Sequence, residues 1–319
     1  MNTTIQNWKE QLDLKTEALK DAESINLTQY HELESKMQSI YKHLDDNFGK
    51  LPEEELKKKQ LEFRAYTEDF FKQSYLFTRA REWPRGYPGD YKTLEKNYLG
   101  IPIVSKGIGM YIDNFFLNNT LARGVRERKE TLSHLILKEL GNRDSGQRIL
   151  NVGCGSSREI FDIGKTVNDF TPKMTFLDYD EEALDYSQLL LHNGEIDITE
   201  FEFIKYNALK LASADRTEAA FGKQDIIYSA GLFDYVPTKG LKKIIHSLYN
   251  LLDEGGVLIA PFKDKENYQT YDYHWFADWS YFYQRTVEEV ARILETSTGT
   301  ISEIIPCGTP AINFFILRK

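Results

Sequence analysis

Two periodicities divide the chain. Up to about residue 140, apolar side chains recur at intervals of three and four, the spacing of a helix face. Trp8, Leu12, Leu14 and Leu19 come first, followed by Leu33, Met37, Ile40, Tyr41 and Leu44. Gly49-Lys50-Leu51-Pro52 interrupts the pattern. Pro52 suits the start of a further helix, predicted to run to Ala80 and to carry Leu56, Leu61, Phe63, Phe70 and Phe71. Two more helices are expected over 107–116 and 121–140, separated by Asn118-Asn119-Thr120. A turn-rich break spans 141–146. Beyond it, short apolar runs alternate with amphipathic ones. The runs at 149–152, 174–178, 201–206, 225–229 and 257–262 read as strands, and 181–192, 239–252 and 286–296 as helices. Two strands, 300–305 and 311–317, close the chain. Such alternation predicts a mostly parallel sheet covered on both faces. The link 306–310 is too short for a parallel crossover, so the closing pair must include an antiparallel strand. The expected division is a helical domain over 1–145 and an α/β domain over 146–319.

Composition narrows the setting. With 319 residues and a net charge of -9, the chain is self-repelling, and a nucleic-acid backbone is not its expected partner. Two cysteines, Cys154 and Cys307, cannot build a disulfide framework or a Cys-rich zinc site. No signal-peptide pattern opens the sequence and no apolar run is long enough to span a bilayer. The expected location is therefore the cytoplasm, with no insertion into membranes. A small-molecule partner is expected, and the helical extension is also a candidate homodimer surface.

The densest chemical signal lies at the head of the α/β half. Ile149-Leu150-Asn151-Val152 is an apolar run broken by Gly153-Cys154-Gly155, after which Ser156 or Ser157 can cap a helix carrying Ile160 and Phe161. This is the strand, turn and helix with which open α/β sheets begin their ligand site. Arg158 stands where a dinucleotide fingerprint needs its third glycine, and no Gly-Lys-[Ser/Thr] follows for a phosphate loop. Asp178 ends the next strand, 25 residues after Gly153, where an acid can accept from both hydroxyls of a ribose. Asp180 is placed to cap the following helix, which leaves Asp178 and Tyr179 for a ligand. Asn207-Ala208 follows the third strand, and an amide there can bond an adenine amino group. Ser229-Ala230-Gly231-Leu232 follows the fourth, with small residues that let a ligand approach the backbone.

In order and spacing these features resemble class I S-adenosylmethionine (SAM) dependent methyltransferases over roughly 147–319. The resemblance implies a Rossmann-like seven-stranded methyltransferase sheet whose last strand is antiparallel, with an N-terminal all-helical domain. It implies SAM as cofactor, held by Gly153, Cys154, Gly155, Asp178, Tyr179, Asn207, Ala208, Ala230 and Gly231. A second segment, Arg85-Gly86-Tyr87-Pro88-Gly89-Asp90-Tyr91, resembles that of bacterial methyltransferases that make 3-hydroxypalmitic acid methyl ester. Asp278-Trp279, followed by Tyr283 and Arg285-Thr286, resembles the same group.

The acceptor side is read from three places. The 81–91 segment packs three aromatics, two arginines and Asp90 into a non-helical stretch, and reads either as an Ω-like connector held by its own aromatics or as a lid or substrate loop. The 263–285 insert holds Tyr268, Tyr271, Tyr273, Trp275, Phe276, Trp279, Tyr281, Phe282 and Tyr283 around His274, and reads either as a packed amphipathic piece or as an acceptor wall. Candidate catalytic residues are Tyr87, Tyr91 and His274. Candidate acceptor contacts are Arg85, Asp90, Arg126, Tyr273 and Trp279. No metal-ligand cluster is evident. An ionised carboxylate acceptor needs no base, whereas a hydroxyl or amine would use one.

Overall fold

The computed structural model describes residues 2–142, 146–167, 171–268, 272–279 and 281–319. Tyr271 of the aromatic insert and residues 143–145 of the expected junction lie outside them. The chain forms two compact units, one of residues 1–123 with 269–281 and one of residues 124–268 with 282–319.

The first unit is helical: α1 (Asn2–Leu19), α2 (Leu27–Phe48), α3 (Glu53–Tyr66), α4 (Glu68–Phe71), α5 (Tyr75–Glu82), α6 (Tyr91–Leu99) and α7 (Gly107–Asn118), with the start of α8 (Thr120–Gly141). The face Leu33, Met37, Ile40 and Leu44 is buried as the periodicity requires. The single helix expected over 52–80 is three. It is interrupted at Thr67 and at Ser74. Thr67 Oγ1 donates to the Phe63 carbonyl, while Ser74 caps α5 and donates to Asp113 at 2.6 Å. Asp113 also accepts the amides of Leu76, Ile103 and Val104, so one buried carboxylate ties α7 to α5 and to the 103–104 turn. The helix α6 was not expected.

Trp275, Phe276 and Ala277 belong to the core of this same unit, packed with Phe63, Phe71 and Phe115. The insert therefore follows the packed reading rather than the wall over most of its described length. Residues 272–276 form a π-helical turn whose carbonyls are held by arginines. Arg64 donates to the His274 carbonyl at 2.7 Å and Arg81 to that of Phe276 at 2.7 Å.

The second unit contains most of α8 and the sheet: β1 (Arg148–Val152), β2 (Lys173–Asp178), β3 (Phe201–Lys205), β4 (Gln224–Tyr228), β5 (Leu252–Lys263), β6 (Glu303–Pro306) and β7 (Ile312–Arg318). Its helices are α9 (Arg158–Gly164), α10 (Glu181–Asn193), α11 (Ala214–Phe221), α12 (Thr238–Leu251) and α13 (Val287–Thr298). The strand order is β3-β2-β1-β4-β5-β7-β6, parallel except for β7, which runs antiparallel to β5 and β6. This is the Rossmann-like seven-stranded sheet expected, antiparallel last strand included. Side chains alternate across it. Leu150, Val152, Ile227 and Leu258 face a core completed by α12 and α13. Asn151 faces the other way and donates to Glu159 of α9. The compositional break at 141–146 sits between α8 and β1, while the division into compact units falls inside α8 at Arg123/Gly124.

Candidate active site

The order β2-β1-β4 makes β1 and β4 the pair at which the chain reverses direction across the sheet, and such sheets bind ligands beyond the carboxyl ends of that pair. Three segments converge there. The Gly153-Cys154-Gly155 turn bends back on β2: the amides of Gly153 and Cys154 both donate to the Leu177 carbonyl, at 2.7 and 3.0 Å. The Gly155 amide donates to Asp178 Oδ2 at 2.8 Å. The turn needs φ of 68° at Gly153 and 56° at Gly155, the left-handed region that glycine enters without strain. A Cβ at Gly153 would lie 3.0 Å from that of Leu232, so the turn is also in close contact with the loop after β4. Serine was expected to cap α9. Ser157 is at the cap position but is left-handed, with no side-chain hydrogen bond.

Asp178 stands between turn and sheet. Oδ1 accepts the Asp180 amide at 2.9 Å, and burial raises the carboxyl pKa above its ordinary value. With one amide on each oxygen, each oxygen retains a further lone pair for a ligand hydroxyl. Asp180 caps α10 through the Glu182 amide, as expected. Tyr179 beside it is 72% exposed. Tyr206, at the end of β3, donates its amide to the Asp178 carbonyl, which brings Asn207 and Ala208 to the same edge. Asn207 is exposed and its Oδ1 accepts from Leu209, capping a short 3-10 turn, so its amide nitrogen is what remains for a ligand. Ala230 and Gly231 are half-buried in the loop after β4.

The turn rests on a buried polar floor. Glu159 Oε1 accepts from Asn151 at 3.1 Å and from Tyr228 at 2.9 Å, which are neighbours on β1 and β4. Burial raises the Glu159 pKa and pushes those of Tyr228 and Cys154 well above their ordinary values. Cys154 is thus a packed thiol below the turn. At the carboxyl ends of β4 and β5, Lys263 and Asp234 form a buried ion pair at 2.5 Å, with the Lys263 ammonium over the rings of Phe282 and Tyr235. Neither the floor nor this pair was among the expected site residues. A polar Asn151 inside an apolar strand was the available signal for the floor. For the pair, a sequence separation of 29 between Asp234 and Lys263 hid the signal, since only folding brings the two segments together.

The candidate catalytic and acceptor-binding residues have the following surroundings. Asp90 is 1% exposed and is the cap of α6. Tyr91 is buried, with Arg85 over its ring, and Tyr87 is partly exposed. Tyr273 is buried and its hydroxyl accepts the Leu121 amide at 3.0 Å, while Trp279 is half-buried beside it. His274 is 7% exposed, and burial with the nearby Arg64 lowers its pKa to about 4. A ring so placed stays neutral at pH 7. Arg126 is half-buried on α8. No group of three or more acids, histidines or cysteines able to hold a metal is found among the described residues. Nor is any described helix long and apolar enough to cross a membrane.

Residues 150–258 match the model of a methyltransferase domain. The matched stretch takes in the glycine turn, Asp178, Asn207 and the loop after β4. A search of curated proteins found no match. Among solved structures, a possible exported protein from Bordetella parapertussis aligns with a TM-score of 0.56 at 16% identity, over 72% of this chain and 79% of that one. That likeness shows the shared fold. Magnesium protoporphyrin IX methyltransferase from Synechocystis, with bound SAM, aligns at 0.47 and 15% identity, over 65% of this chain and 84% of that one. The 1,6-didemethyltoxoflavin-N1-methyltransferase of Burkholderia thailandensis aligns at 0.45 and 14%, over 60% and 78%. Both fall below the score at which a fold is shared with assurance.

Proposed function

We propose that the chain is a SAM-dependent methyltransferase acting on a small molecule that bears a carboxylate, and that its product is a methyl ester. The observation that carries the methyltransferase reading is the glycine turn locked to Leu177 and Asp178 inside the matched domain. Gly153 and Gly155 keep side chains out of the space where an adenosyl ligand would lie. Asp178 has the spare acceptor capacity for ribose hydroxyls, and Asn207 and Ala208 lie at the adenine side. Ala230 and Gly231 border the far end. The ester reading draws on the resemblance at Arg85–Tyr91 and Asp278–Thr286.

Bound SAM supplies an activated methyl group, so the protein has to align an acceptor more than activate it. A carboxylate is already ionised at neutral pH and loses no proton on methylation. A hydroxyl acceptor is the second reading, favoured by the Asp234 carboxylate paired with Lys263 at the carboxyl ends of β4 and β5.

Calorimetric binding of S-adenosylhomocysteine tests the cofactor half. Losing two charge-assisted hydrogen bonds at about 1.5 kcal/mol or more each, Asp178→Ala should weaken binding at least ~100-fold. An unchanged affinity would remove the ribose assignment. Turnover of a panel of fatty acids, phenols and amines tests the acceptor half. Methylation of amines alone ends the ester reading, and no S-adenosylhomocysteine release with any acceptor would leave a SAM-binding protein without turnover.

A further inference from the structure

Beyond β4 the second unit contains a buried cation, Arg128, that forms no ion pair among the described residues. Arg128, on α8, is 5% exposed, and its Nε has no hydrogen-bond partner among the described residues. The guanidinium lies against the loop after β4: a Cβ on Gly231 would sit 2.7 Å from Nη1 and 3.2 Å from Cζ. Two more buried polar atoms nearby lack partners. Ser229 Oγ is two residues before Gly231. Thr309 Oγ1 would lie 3.0 Å from a Cβ on Gly124, one turn before Arg128. Thr309 reaches this side because β7 is antiparallel, which places its first residue, Ile312, opposite Lys263 at the carboxyl end of β5.

The charges around Arg128 are otherwise engaged. Lys263 repels it but is neutralised by Asp234. Glu159 attracts it, yet its bonded oxygen already serves Asn151 and Tyr228, and burial biases it towards the neutral form. Glu127 accepts the Thr309 amide at 2.5 Å. An uncompensated buried guanidinium is costly to keep, and a ligand anion removes that cost. The guanidinium fork matches a planar carboxylate. A doubly charged phosphate would leave one charge unmet, because Lys263 already has its partner.

Resting on the function proposed above, we infer that Arg128 is the anchor for a ligand carboxylate beside Gly231, with the Ser229 hydroxyl as a second donor. Two sources share this chemistry: the amino-acid end of the cofactor and the acceptor itself.

The test uses the full chain, Arg128→Met and Arg128→Lys, with melting curves to confirm folding, and three probes. S-adenosylhomocysteine carries the amino-acid carboxylate, 5′-methylthioadenosine lacks it, and decanoate stands for an acceptor. A cofactor carboxylate predicts that Arg128→Met weakens S-adenosylhomocysteine about tenfold or more and leaves 5′-methylthioadenosine within twofold, with Arg128→Lys between. An acceptor carboxylate predicts unchanged adenosyl binding and loss of decanoate. Gly231→Ala, whose methyl displaces the guanidinium, should reproduce either pattern. Equal binding of all three probes by Arg128→Met overturns the inference, as does parallel weakening of both adenosyl compounds. A wild-type chain that binds neither adenosyl compound defeats the functional reading itself.

Discussion

Asp90 and Asp178 each adjoin a glycine turn, and each reads from sequence as a ligand contact. The fold uses them in opposite ways. Asp90 takes four donors: Arg79 Nη2 at 2.6 Å, the amides of Lys92 and Thr93, and the Thr93 hydroxyl at 2.7 Å. Its carboxylate is filled by its own unit. Asp178 takes two backbone amides, one on each oxygen, and neither comes from a side chain. An acid that starts a helix meets its orphan amides and is consumed by them. An acid that ends a strand faces a neighbouring turn and keeps half its capacity. The count of donors, rather than the motif around the residue, separates the acid filled by its own unit from the one that keeps room for a ligand.

The comparison is broken most directly at Asp90. Removing it takes the carboxylate from a largely buried Arg79, uncaps α6 and leaves the Thr93 hydroxyl only the Arg79 Nε–H that it accepts. Asp90→Ala should therefore cost about 3–5 kcal/mol of stability. Asp178→Ala, which frees only two backbone amides beside solvent, should cost about 1–2 kcal/mol. Urea unfolding of both variants checks this. Equal losses would mean that donor count does not distinguish the two acids.

The insert sharpens the contrast through pH. His274 has its pKa lowered from 6.5 to about 4 in the folded chain. The unfolded chain therefore binds the proton first as pH falls. Stability carried by the neutral ring is complete above about 6.5, declines below it, and is gone once pH passes below 4. The loss across that window is up to roughly 3 kcal/mol. In His274→Leu the acid-side decline between pH 6.5 and 4 should shrink by that amount, and an unaltered decline would show that the ring is not held neutral. The effect belongs to the first unit, where Arg64 and the π-helical turn keep the ring buried.

These cases show what a sequence can carry. The sheet was legible because strand runs, helix faces and a five-residue terminal link are local patterns, and the turn at Gly153–Gly155 was legible because glycine spacing is local too. The break at Ser74 was not, since it depends on Asp113, 39 positions away. The helix α6 is not expected from sequence because its cap, Asp90, sits in a segment whose two Pro and two Gly read as non-helical. For Trp275 and Phe276 both a packed piece and an acceptor wall stay open from sequence, because an aromatic run gives no sign of which core it will join. Arg128 was one basic residue among several on a helix, and only the approach of Gly231 singles it out.

Glu159 lies between the two aspartates in kind, with two side-chain donors on one oxygen and burial against it. It gives the smallest effect and the finest test. Because its folded pKa is raised, the folded chain holds that proton more tightly than the unfolded chain. Stability from this group is then present below the ordinary carboxyl value near 4.5 and is lost as pH rises through the raised one. The Tyr228 hydroxyl opposes the rise by donating to the ionised form. Tyr228→Phe should thus cost about 1 kcal/mol and steepen the loss with rising pH, while Glu159→Gln should abolish that slope and keep an oxygen for both donors. Stability of both variants from pH 4 to 9 decides the matter. If the slopes are unchanged, Glu159 is ionised in the folded chain as freely as in the unfolded one. Its charge would then be available to Arg128, and the case for a ligand carboxylate beside Gly231 would weaken with it.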